Sequence, residues 1–142
     1  MTRIEFFFNV EDKLQKIAEL CGSAVRKGRR LMVYSADAET TVRLEDYLWS
    51  SPAIGFLPHC RPGHALAEVT PIIVDHQGEQ LVHDDVLINL QSGYPPFFSR
   101  FRRLIEIVGL DEADRSAARE RYRFYRDRGY EIRLLDQTGA AM

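Results

Sequence analysis

The sequence predicts an α/β domain with a mostly parallel sheet flanked by helices, and two observations lead there. Short apolar runs without polar alternation, such as RIEFFF at residues 3–8 and DVLINL at 85–90, mark strands covered on both faces, as in parallel sheets. Over the first fifty residues such runs alternate with stretches of helical periodicity, giving β-α-β-α and hence a right-handed crossover between parallel strands, the opening of a Rossmann-like sheet. With 142 residues, 45% of them hydrophobic, the chain can bury one core. No repeat or linker divides it, so a single domain is expected over 1–136, with a small, polar, frayed tail at 137–142.

In order, the first strand covers Arg3 to Phe8, and Asn9 is placed to cap a helix in which Leu14, Ile17, Ala18, Cys21 and Val25 share a face. Lys27 and Gly28 end that helix. The RLMVY run at 30–34 is the second strand, and Asp37 caps a helix through Trp49 that Pro52 stops. From 52 to 70 proline and glycine loosen the pattern, leaving a short extended piece at 56–59. Strands follow at 70–74 and 85–90 around the HQGEQ turn. Pro96 opens a predicted helix carrying Phe97, Phe98, Phe101 and Leu104, and 105–108 is apolar but ambiguous in type. A long helix over 111–128 and a last strand at 131–135 complete the chain.

The charge balance narrows the function. Nineteen Lys and Arg against 21 Asp and Glu give a net charge of -2, so no global basic field draws in nucleic acid and any anion recognition is local. Cys21 and Cys60 lie far apart, and the IEFFF run is too short for a signal core or a membrane span, so a cytoplasmic protein with reduced thiols is expected. A nucleotide is not expected either. The first strand-to-helix turn, FFFNVEDK, has no glycine, whereas phosphate-binding turns need one for close backbone approach. His59, Cys60 and His64 lack the spacing of a zinc site. Asp84 and Asp85 point to opposite faces of a strand, and no G-x-S-x-G turn occurs. Neither a catalytic centre, a metal nor a cofactor is expected.

The helix DEADRSAARERYRFYRDR carries the strongest feature. At about 100° per residue, Arg115, Arg119, Tyr122, Arg123 and Arg126 fall in one sector about 100° wide, with Ala113, Ala117, Ala118, Phe124 and Tyr125 toward the sheet. Asp111 is the expected N-cap, and Gly129 the C-terminal stop. Such a strip reads either as a solvated charged face or as a carboxylate receptor. Arginine used almost to the exclusion of lysine suits the second, because its planar fork binds carboxylate in a bidentate way. A second cluster, Trp49, Pro52, Phe56 and Pro58, gathers flat apolar groups at the end of the second helix. Trp49 either closes the core or joins the arginines in an interface with a ring-lined hollow.

The segments at 44–59 (LEDYLWSSPAIGFLPH), 85–90 and 118–130 (ARERYRFYRDRGY) together resemble the chi subunit of bacterial DNA polymerase III holoenzyme, nearly end to end. The resemblance implies a Rossmann-like fold without nucleotide binding and a non-catalytic part of the clamp-loader complex. It implies two partners, the psi subunit and the acidic C-terminal tail of single-stranded DNA-binding protein. It places tail binding on Arg115, Arg119, Tyr122 and Arg123 for charge, and on Trp49 and Phe56 for the apolar part. Arg115 and Arg123 stand where the family pattern suggests lysine. Phe97, Phe98 and Phe101 are the candidate psi surface. The alternative is a direct single-stranded nucleic-acid binder using Tyr122 and the arginines, which the net charge disfavours.

Overall fold

The computed structural model describes residues 1–50 and 57–138. Its centre is a seven-stranded sheet: β1 (Arg3–Phe8), β2 (Leu31–Tyr34), β3 (His59–Cys60), β4 (Ile72–Asp75), β5 (Val86–Asn89), β6 (Arg103–Ile107) and β7 (Ile132–Asp136). They lie in the order β3-β4-β2-β5-β6-β1-β7, and every pairing is parallel. The fold is therefore α/β and Rossmann-like, with the sheet wholly rather than mostly parallel. Among the described residues three helices cover it: α1 (Lys13–Arg26), α2 (Ala38–Ser50) and α3 (Glu112–Asp127).

Alternation along each strand sorts the core into two layers. On one face Phe7, Leu31, Val33, Ile72, Val74, Val86, Ile88, Ile105 and Ile107 meet Ile17, Ala18 and Cys21 of α1 and Leu44 and Leu48 of α2. On the other, Ile4, Phe6, Met32, Leu87 and Leu104 meet Ala118 and Tyr125 of α3, with Phe98 and Phe101 beside them. The continuous apolar runs are explained: each central strand is buried on both sides. The Cys21 thiol, wholly buried in the first layer, has its pKa pushed up to about 12 by desolvation, so it is an inert packing group.

Three local expectations are corrected. The cap of α1 is Asp12, whose carboxylate accepts from the Gln15 N–H at 3.2 Å. Asn9, three residues earlier, turns the chain left-handed with φ of 60°, a region in which asparagine is tolerated. The expected aromatic helix after Pro96 is only a 3-10 turn, Phe98–Arg100, and Leu104 lies in β6. Five consecutive residues with apolar or aliphatic stems, RLIEI, are better satisfied between β1 and β5 than on a surface helix. The extended piece expected at 56–59 becomes β3 at His59–Cys60; Phe56 and Pro52 lie outside the described residues. At the end of the described residues the Gln137 N–H donates to the Phe8 carbonyl at 2.9 Å, and the Thr138 N–H and hydroxyl donate to Asp136; the rest of the tail, 139–142, lies outside them.

Candidate functional site

α3 leaves a hollow over the β7 edge of the sheet. Asp111 is its N-cap by backbone position, extended at φ of -77° with its carbonyl accepting the Arg115 N–H, although its side chain makes no capping bond. At the other end Gly129 adopts φ of 82°, the left-handed stop that glycine provides without strain. Ala118 is too small to fill the space above β1, and Leu134 on β7 remains about half exposed. The result is a hollow of about 460 Å³ with an apolar floor of Phe6, Phe8, Val108, Ala118 and Leu134. Arg115, Arg119 and Tyr122 form its wall.

The wall residues are held in different ways. Arg115 donates to the Asn9 side-chain oxygen at 3.0 Å, and Asn9 in turn donates to Asp136 at 3.1 Å. The left-handed bend at Asn9 thus positions a guanidinium at the rim. The Thr138 N–H and the Asn9 amide hold the Asp136 carboxyl below the usual carboxylate range. Tyr122 stands edge-on to Phe6 with ring centroids 6.0 Å apart, and the Arg126 guanidinium lies 5.9 Å from its ring. Arg119 donates to Glu112 at 2.6 Å. Both partners are solvated, 55% and 75% exposed, so the pair contributes little and is exchangeable. Arg123 is exposed one turn beyond Arg119. Ala113, expected toward the sheet, is exposed instead, in the first turn of α3.

Beneath this face lies a polar cluster that periodicity alone missed. Arg121 is buried, and its Nε donates to Glu106 at 3.0 Å while another of its nitrogens donates to the Ser92 carbonyl at 2.7 Å. The Tyr125 hydroxyl at 2.6 Å and the Asn89 amide at 3.0 Å complete the shell around the Glu106 carboxyl. Burial pushes that carboxyl up to about 7, with the Arg121 charge the strongest opposing influence. The signal was an acid inside the apolar run of β6 together with an arginine 240° around α3 from Arg115, among the small and aromatic residues. A buried charge demands a buried partner. At the helix start, burial opposes the Asp114 charge, but the Lys13 ammonium at 2.7 Å and the Gly109 N–H more than offset it and lower its pKa.

The structure does not bring Trp49 to the arginines. Its ring, 69% exposed, stands edge-on to His59 of β3 at 6.5 Å. Six strand spacings separate β3 from β7, roughly 28 Å, and α2 covers the face opposite α3. The single hollow expected to combine Trp49 with Arg119 is therefore replaced by one floored by β1 and β7. Phe56 lies outside the described residues. The aromatic trio is likewise consumed elsewhere. Phe98 and Phe101 are 5% and 2% exposed and lie in the second core layer, and the half-buried Phe97 packs against it on Tyr34 at 5.0 Å. Among the described residues no group of His, Cys, Asp and Glu is arranged to hold a metal, and no helix is long and apolar enough to cross a membrane.

Comparison with known proteins bears on this architecture. The family model described as DNA polymerase III chi subunit, HolC, matches residues 1–133. The chain belongs to the chi-subunit family. A chi subunit from Pseudomonas aeruginosa is 33% identical over 139 residues, covering 93% of this chain and 94% of that protein. The Escherichia coli chi subunit is 29% identical over 119 residues, covering 83% and 81%, and the Haemophilus influenzae one 32% over 114, covering 80% and 79%. Membership in the chi family ties the chain to DNA polymerase III and so to DNA replication. The match spans β1 to β6, α3 and the start of β7, and so most of the elements that build the hollow.

Proposed function

We propose that this chi-family chain is a non-catalytic accessory subunit of the polymerase III clamp-loader complex, and that its α3 hollow receives the acidic C-terminal tail of single-stranded DNA-binding protein. One observation carries the reading: an apolar hollow of about 460 Å³, within the size range of ligand sites, is walled by Arg115 and Arg119 on a rigid helix. A terminal phenylalanine suits it in two ways. Its ring lies on Phe6, Phe8 and Leu134, while its free carboxylate takes the Arg119 fork in place of Glu112, and the preceding aspartates meet Arg115 and Arg123.

The psi subunit is assigned to the other end of the sheet. There Trp49, Leu66 and Val69 are 69%, 59% and 69% exposed, whereas the Phe98 and Phe101 rings are inside. Exposed tryptophan is a common interface anchor. Two remote surfaces let one chain link the clamp loader to the tail without competition between partners.

Fluorescence anisotropy with a labelled acidic peptide ending in phenylalanine tests the tail site. The peptide with a free terminal carboxylate is expected to bind more tightly than its amidated form by roughly 1.5 to 3 kcal/mol, the range for hydrogen bonds to charged groups. Equal affinity for the two forms contradicts the assignment.

A further inference from the structure

A second concentration of cations lies diagonally across the molecule. Arg3, Lys27, Arg29, Arg102 and Arg103 line a cleft of about 560 Å³ at the N-terminal end of the strands, on the α1 face. Arg29 pairs with Asp85 at 3.7 Å, and Arg103 with Glu5. Arg3, Lys27 and Arg102 are exposed and have no acidic partner among the described residues. Lys27 sits at the C-terminus of α1, where the helix dipole favours a cation. Arg3 has no such reason: it is the register partner of Arg103 on the adjacent strands β1 and β6, and Glu5 already pairs with Arg103. Glu5 is shared between Arg103 and Arg133, so Arg3 keeps an unanswered charge beside a like one, which costs stability, and a bound anion offsets that cost.

We propose that this cleft binds the phosphate backbone of single-stranded nucleic acid. The lining separates this ligand from an acidic peptide. β1 and β6 are interior strands, so no strand edge is free for a peptide to pair with. No aromatic ring lines the cleft to anchor a side chain or to stack a base. A phosphate backbone needs neither, and the two arginine forks left without an acid, Arg3 and Arg102, suit phosphate oxygens together with Lys27. The site reads charge and not sequence. It lies on the α1 face at the strand starts, whereas the α3 hollow lies on the opposite face by Phe8 and Asn9 at the end of β1, so both can be occupied together. The proposal stands independently of the tail reading.

Anisotropy titration of the full chain with fluorescein-labelled oligothymidylate and oligouridylate tests it. Both oligomers are expected to bind alike, since only phosphates are read. Neutralising three phosphates gives a loss of affinity of about 20-fold between 50 mM and 200 mM salt. The variant Lys27→Glu/Arg102→Glu, altered only at exposed side chains and checked by circular dichroism, is expected to lose binding by about tenfold or more while keeping its affinity for the acidic tail peptide. Arg43→Glu, a reversal of one charge on exposed α2 surface, reports the effect of half that change in net charge made away from the cleft. No oligomer binding at 50 mM salt overturns the proposal. So does equal weakening by Arg43→Glu, a strong preference for one oligomer, or loss of oligomer binding in Arg119→Ala, which would move the contact to α3.

Discussion

Arg119 already holds a carboxylate, that of Glu112 at 2.6 Å, and this sets the terms on which a ligand enters. Because both side chains are well solvated, the internal pair is worth about 0.2 to 1 kcal/mol, and in the proposed tail site a peptide carboxylate supported by a buried ring displaces it. Glu112→Gln should therefore tighten binding of the acidic tail peptide by up to about fivefold, with the larger gain at low salt. Arg119→Ala should weaken it by roughly 1.5 to 3 kcal/mol. Weaker peptide binding in Glu112→Gln would mean that the acid orients Arg119 rather than competing for it. Asn9 supports the neighbouring cation from below. Its role was hidden in the sequence because Asn before a helical pattern is read first as a cap, and only the φ of 60° shows the side chain turned to Arg115 and Asp136 instead.

At the level of elements, α3 is fixed in rotation by the buried Arg121 and Glu106 pair, and that rotation is what presents the other arginines at the hollow. Arg121→Met should cost about 3 to 5 kcal/mol in urea unfolding, since a buried acid loses its partner. Arg123→Met, on the exposed side of the same helix, should stay within about 0.5 kcal/mol. The pH dependence has a definite sign. Folding raises the Glu106 pKa from 4.5 to about 7, so the folded chain holds that proton more tightly. The stability this contributes is fully present below 4.5 and is lost as pH rises through about 7. Relative to Glu106→Gln, the urea midpoint of the parent chain should fall across that window; a constant or rising difference would contradict the role given to Glu106. The element pattern was legible where apolar runs met clear stops, as at Arg3–Phe8 and in α3 ended by Gly129. It failed at Phe97 to Leu104, where aromatic residues spaced like one face of a helix turned out to pack as a 3-10 turn and a strand. Their spacing fits both arrangements, and only the vacant sheet position between β5 and β1 decides between them.

At the scale of the whole molecule, a parallel sheet seven strands wide separates surfaces by face and by edge, and this shapes the functional reading most. The arginine strip of α3 was legible from periodicity, yet its apolar complement was assigned to Trp49. Nothing in local spacing reveals that α2 and α3 cover opposite faces, because strand order is a property of the completed sheet. The ring-lined hollow comes instead from Phe6 and Phe8 of the first strand and Leu134 of the last, joined only when β1 pairs with β7. Under the proposed function, a chain so arranged offers the tail and psi separate surfaces at opposite edges of one sheet. The most direct measurement is a titration of the isotope-labelled chain with the acidic tail peptide, followed by amide and indole chemical shifts. The account predicts saturable shifts in Asn9, in Arg115 to Arg123 and in Leu134, with the Trp49 indole unmoved. Shifts centred on Trp49, with α3 silent, would contradict it.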